Sequence, residues 1–197
     1  MVERRTIEIR CRRWPPVILI AIGIAGALWP KAHTPLLAWN GSRSVPVGLY
    51  YIVARPPRRG ELAVLRLPEP MRTLTEVRGY LPPNAVLIKP VAALSPDHVC
   101  RKDGIVTING LFAARVLTTD PAGRPMPQWS GCHYIDERHF FMLSNESNGF
   151  DGRYFGLVDA HYTFGTAAAV WTVGRWLKRL PEFDGCSLDA VSCAIED

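Results

Sequence analysis

Two serines stand two residues apart in Asn40-Gly41-Ser42-Arg43-Ser44-Val45-Pro46-Val47-Gly48-Leu49-Tyr50, inside a turn bounded by glycine and proline. A serine hydroxyl becomes a nucleophile only when a base takes its proton. Lys89 is the candidate base, because Val86-Leu87-Ile88-Lys89-Pro90-Val91-Ala92-Ala93-Leu94 is the most apolar stretch after Pro30. Burial disfavours the ammonium form, so a lysine there is a neutral amine nearer pH 7 and accepts a proton. A lysine that snorkels from an edge strand, or pairs with a carboxylate, would carry the same sequence. The third feature is Phe150-Asp151-Gly152-Arg153-Tyr154-Phe155-Gly156. On an extended strand Asp151 and Arg153 share a face and pair, which would brace a site; a surface ion pair reads alike.

Strands must position most of these residues. Leu49 to Ala54 is rich in β-branched and aromatic residues, Arg55-Pro56-Pro57-Arg58-Arg59-Gly60 is a turn, and Glu61 to Leu67 resumes apolar alternation. Asp103-Gly104 is a turn, and Ile105-Val106-Thr107-Ile108 before Asn109-Gly110 is the strongest hairpin cue. Phe140 to Leu143 and Tyr154 to Val158 flank a polar, turn-rich stretch from Ser144 to Gly152. Two stretches have helical potential: Pro68 to Tyr80, as a short helix or surface excursion, and Ala167 to Leu180, which also reads as a solvated strand end.

The three segments, in this order, resemble the serine–lysine signal peptidases, and within them the TraF-type peptidases of conjugation systems. The resemblance runs from Asn40 to about Val173 and rests on Ser44-Val45-Pro46-Val47-Gly48-Leu49-Tyr50, on Lys89 in its apolar strand leading to Ala93-Leu94-Ser95-Pro96-Asp97-His98-Val99, and on Phe150 to Gly156. It implies a mainly β, signal-peptidase-like catalytic domain behind one N-terminal transmembrane helix. It also implies Ser44 as nucleophile, Lys89 as general base, and an oxyanion site formed by the Ser44 N–H and the Ser42 hydroxyl. Asp151 and Arg153 become structural support for the lysine. The sequence departs from the family pattern at Ser95-Pro96-Asp97, at Pro90, and at Gly149, where relatives carry the hydroxyl that orients the lysine. Ser144 and Ser147 are the candidate substitutes.

The implied activity is a serine endopeptidase acting on exported precursors, with a conjugative pilin precursor as substrate. A general signal peptidase and a non-catalytic, membrane-tethered assembly factor are the alternatives. A self-cleaving cytoplasmic repressor also uses Ser and Lys, and the N-terminal segment argues against it.

Charge and cysteines give the address. The 197 residues carry 23 Lys plus Arg against 18 Asp plus Glu, a net +5, too little for a dedicated nucleic-acid binder. Five arginines and two glutamates fall before Trp14, so residues 1–13 hold +3 of that excess. Trp14 to Pro30 has no charge and two flanking tryptophans. As a helix it rises about 25 Å, enough for a membrane anchor with its basic end in the cytoplasm. Cleavage at Ala25-Gly26-Ala27 as a signal peptide, or burial as a core helix, are the other readings. Residues 31–181 then form an extracytoplasmic peptidase domain on the periplasmic side of the inner membrane, and 182–197 an acidic tail. Cys11 lies on the cytoplasmic side, leaving Cys100, Cys132, Cys186 and Cys193 to pair, with Cys100–Cys132 and Cys186–Cys193 favoured among three connectivities. No CxxC occurs and the histidines lack ligand spacing, so neither metal nor cofactor is expected.

Overall fold

The structure is a computed structural model that describes residues 37–173, together with Ile20 from the segment before them. The anchor, the acidic tail and the Cys186–Cys193 pair lie outside the described residues. Among the described residues no helix is long and apolar enough to cross a membrane.

The domain is mainly β. Its larger sheet contains β1 (Leu37–Asn40), β2 (Val47–Val53), β3 (Leu62–Leu65), β4 (Leu87–Leu94), β9 (His139–Met142), β10 (Val158–Asp159) and β11 (Thr163–Val173). The order across it is β1-β2-β11-β3-β4-β9-β10, so the last strand is inserted between the second and third. A smaller sheet, ordered β7-β6-β5-β8, is built from β5 (His98–Lys102), β6 (Ile105–Ile108), β7 (Leu111–Arg115) and β8 (Gly131–Tyr134).

The two hairpins of the smaller sheet follow from their turn residues. Asp103 and Gly104 take φ of 51° and 74°, Asn109 and Gly110 of 54° and 84°, the left-handed pairs that two-residue hairpin turns require. Cys100 and Cys132 face each other in the β5–β8 register and are joined by a disulfide, as expected. The short helix expected in Pro68 to Tyr80 is α1 (Met71–Val77).

Of the two readings of the stretch from Ala167, the strand end holds as far as the described residues go: β11 runs to Val173, paired with β3 up to Ala167 and beyond it with β2 alone, with a bulge between Ala169 and Trp171. One expectation is corrected: the segment after Asp151 is not extended. It turns through α2 (Gly152–Phe155), capped by the Asp151 carboxylate, which accepts the Arg153 N–H.

β4 is the element that matters most for the site. Seven of its eight residues are buried, and it is hydrogen-bonded to β3 on one side and β9 on the other. Pro90 lacks an N–H, yet its carbonyl still accepts from Leu143 N at 3.1 Å, which continues the pairing with β9 past its last strand residue. Beneath the β1-β2-β3 part lies a core of Val45, Tyr50, Ile52, Leu62, Val64 and Ile88.

Candidate active site

The serine turn follows β1 and is held from inside by Asn40. Its Nδ2 donates to the carbonyls of Ser42 (2.7 Å), Val45 (2.9 Å) and Pro46 (3.1 Å). Its Oδ1 accepts from Ser42 N at 3.2 Å and Ser42 Oγ at 2.9 Å. Tyr50 reaches back from β2, and its hydroxyl donates to Pro46 O at 2.6 Å. Gly48 permits the close approach of β11, since a Cβ there would fall 2.1 Å from the Trp171 carbonyl oxygen. The motif residues Pro46, Gly48 and Tyr50 therefore shape the turn, and Ser42 Oγ and Ser44 Oγ lie 2.8 Å apart in it.

Lys89 is 3% exposed and stands opposite Ala63 across the β3–β4 pairing. Ser42, Ser44 and Lys89 line one cavity of about 630 Å3. Burial lowers the Lys89 pKa from 10.5 to about 8; the Asp151 charge opposes that shift, the Arg153 charge reinforces it and Glu146 opposes it. Lys89 thus keeps a usable fraction of neutral amine near pH 7. In this structure Ser44 bonds to Ser42, and Lys89 faces the same cavity.

Asp151 and Arg153 are 0% and 2% exposed, so the surface ion-pair reading is excluded. They meet through the capped turn rather than across a strand face. Arg153 Nε donates to Asp151 Oδ1 at 2.9 Å and Nη2 to Oδ2 at 3.1 Å. The guanidinium also binds the carbonyls of Ser144 (2.7 Å) and Ser147 (2.9 Å), tying the 144–149 loop to the pair. Of the two serines considered for the lysine-orienting hydroxyl, Ser147 contributes only that carbonyl among these bonds. Ser144 is buried, and its Oγ donates to Asp151 Oδ2 at 2.7 Å. A Cβ on Gly149 would lie 2.3 Å from Ser144 Oγ. The Ser144 hydroxyl fills the space that a side chain at position 149 would need.

The far wall of the cavity was not foreseen in the sequence. Tyr80 OH donates to Asp120 Oδ2 at 2.5 Å, Arg124 Nε to the same oxygen at 2.7 Å, and Arg78 Nη1 to Pro125 O at 2.8 Å. The Tyr80 and Arg78 bonds clasp the excursion after α1 to the loop between β7 and β8, two segments 40 residues apart, and the Arg124 bond braces Asp120 within that loop. The signal available was Asp120-Pro121-Ala122-Gly123, a turn with an aspartate able to bond its own backbone. Asp97, which the family pattern keeps next to the departing Ser95-Pro96, accepts from Leu94 N and Asn109 Nδ2 and pairs with Arg59, joining the two sheets.

Among the described residues no group of three or more His, Cys, Asp or Glu could hold a metal ion. What the cavity offers is a hydroxyl pair and a buried amine.

The family described as signal peptidase, peptidase S26, matches residues 11–172. The chain belongs to the S26 signal peptidase family. Within reach of this S26 member are plasmid transfer proteins TraF. One from Escherichia coli is 30% identical over 162 residues, covering 76% of this chain and 91% of that one. A probable conjugal transfer protein TraF from Sinorhizobium fredii is 32% identical over 182 residues, covering 83% and 93%. A solved signal peptidase I from Enterococcus faecalis overlays with a TM-score of 0.34 at 19% identity, covering 58% of this chain and 98% of that one, too loosely to bear on the fold or the chemistry.

Proposed function

We propose that this S26 member is a serine endopeptidase in which Ser44 attacks and Lys89 is the general base. The observation that carries the reading is the burial of Lys89 on the wall of the cavity that the serine turn also lines, with its pKa lowered to about 8. The neutral amine takes the Ser44 proton as Oγ bonds to the scissile carbonyl carbon. The carbonyl oxygen becomes an oxyanion, stabilised by the Ser44 N–H and the Ser42 hydroxyl. Lys89 then gives the proton to the leaving amine as the peptide C–N bond breaks. A water activated by the same amine hydrolyses the ester and regenerates Ser44. Asp151 and Arg153 hold the charge environment of Lys89, and the Ser144 hydroxyl replaces the one absent at Gly149.

The substrate is an exported precursor protein, and kinship with TraF plasmid transfer proteins favours a conjugative pilin precursor. The site works at the periplasmic face of the inner membrane, behind the anchor read in residues 14–30. In keeping with that location, Trp39 and Trp171 stack with centroids 6.2 Å apart on an exposed apolar face with Tyr51, Val170 and Val173.

The test is cleavage of a pilin-like precursor by the full chain in detergent or vesicles. Ser44→Ala and Lys89→Ala should each reduce turnover at least about 1,000-fold, given that activated-nucleophile residues act as a unit. Cleavage by both variants at the parent rate overturns the peptidase reading.

A further inference from the structure

The orientation of the Asn40 side chain is set by its surroundings. Three carbonyl oxygens crowd one end of the amide, so that end must be the nitrogen, and the other end is the oxygen. An amide oxygen only accepts. Ser42 Oγ therefore spends its single proton on Asn40 Oδ1. It has only lone pairs to offer Ser44, so Ser44 must be the donor across their 2.8 Å contact. The chain runs one way: Ser44 O–H to Ser42 Oγ, Ser42 O–H to Asn40 Oδ1. Asn40 itself is buried at the end of β1.

We infer that Asn40 is a positioning residue for the reaction, acting through the Ser42 hydroxyl: it orders the serine turn and holds the hydroxyl chain in a resting direction that substrate must break. This rests on the Ser44–Lys89 reading above. In the resting direction the Ser44 proton points away from the base and its lone pairs are free for the cavity. For attack, the Ser44 O–H turns to Lys89, which leaves Ser42 Oγ without its incoming donor. For Ser42 to stabilise the oxyanion, its own O–H must leave Asn40 Oδ1 and swing to the substrate oxygen. No covalent bond of Asn40 changes, and no proton leaves it. Its Nδ2 bonds to three carbonyls keep the turn in place while both hydroxyls move. A carbonyl oxygen carrying developing charge is a better acceptor than a neutral amide, so the swing is favoured as the transition state forms.

The sequence offered Asn40 only as the first residue of the turn. The signal for its role is the spacing Asn-x-Ser-x-Ser, which lets one amide bond its own turn two residues on and reach the first hydroxyl.

The experiment is a double-mutant cycle on precursor cleavage with Asn40→Ala, Ser42→Ala and the pair, and with Ser44→Ala and Lys89→Ala as controls. Each single variant should lower kcat at least about tenfold with KM within threefold. The pair should lose at least fivefold less than the product of the single losses, because the second change removes a link already broken. Losses that multiply, or a loss carried by KM alone, overturn the inference. Asn40→Asp covers the case in which the alanine variant does not fold. Its carboxylate has no donor for the three carbonyls, and gains one on protonation. Its kcat relative to the parent should therefore climb at least fivefold from pH 9 to pH 6, and a flat ratio overturns the inference. If Ser44→Ala and Lys89→Ala cleave like the parent, the peptidase reading itself is what fails. If they are inactive while the Asn40 and Ser42 losses multiply, only the role of Asn40 falls.

Discussion

A lysine among Leu, Ile, Val and Ala is the residue that most constrains this chain, and its consequences are measurable. Lys89 has its pKa lowered to about 8, so the amine fraction falls tenfold per pH unit below that value and is nearly complete above pH 9. The expected kcat/KM rises with unit slope through pH 6 to 7.5 and levels off above pH 9, measured with a substrate that does not titrate in that range. A profile that is flat from pH 6 to 9 would deny Lys89 the role of base. At Gly149 a second residue-scale prediction applies. Gly149→Ser puts its Cβ into the Ser144 hydroxyl at 2.3 Å and should cost activity and stability, whereas Gly149→Ser combined with Ser144→Ala should be better tolerated than Gly149→Ser alone. Thermal melts and cleavage rates of the three variants check the exchange. Ser144→Ala by itself removes a buried bond to a carboxylate, about 1.5–3 kcal/mol. Ser44, Lys89, Asp151 and Arg153 could be proposed from residue type and order. Which of Ser144 and Ser147 lies against Asp151 could not, because it depends on which hydroxyl the 144–149 loop folds inwards.

At the scale of elements, strands and turns announced themselves where backbone chemistry is local. The hairpin turns at Asp103-Gly104 and Asn109-Gly110 required left-handed residues and had them. The region after Ala167 read both as a helix and as a solvated strand end, since three alanines suit a helix in isolation; pairing with β2 decides for the strand as far as Val173. The clasp over the cavity is an element-scale feature of the same kind. Burial pushes the Asp120 carboxyl up in pKa, but the bonds from Tyr80 and Arg124 outweigh it and hold the group well below its usual range. That carboxylate is ionised throughout the working range, so the clasp should persist from pH 5 upwards. Tyr80→Phe deletes one bond to it. The expected result is faster amide exchange in residues 118–126 and a KM raised a few-fold, with kcat changed little. Unaltered exchange in that loop would show that Tyr80 does not hold the wall.

For the whole molecule, the disulfide is the feature with a global reach. Cys100–Cys132 closes 32 residues of chain, and in the loop-entropy account that contributes about 3–4 kcal/mol. Cys100→Ser with Cys132→Ser should lower the melting temperature while leaving cleavage nearly unchanged well below it, because the bond ties β5 to β8, away from the serine turn. Thiol titration of denatured, unreduced protein should find one reactive cysteine if Cys186 and Cys193 are paired, and three if they are not; five would mean that Cys100 and Cys132 are unpaired as well. By itself the sequence carried the family resemblance, the order of its parts and the proposed chemistry and address, because a serine turn, a lysine in an apolar strand and a basic block before an uncharged run are properties of neighbouring residues. Tertiary structure alone decided that Lys89 and the serine turn line one cavity, that the Ser144 hydroxyl occupies the space beside Gly149, and that Asp120 clasps a wall to Tyr80. Each of these joins segments whose separation along the chain, from seven residues for Ser144 and Asp151 to 40 for Tyr80 and Asp120 and 45 for Ser44 and Lys89, holds no local signal of contact. Packing of the sheet brings them together, and packing is a property of the whole chain.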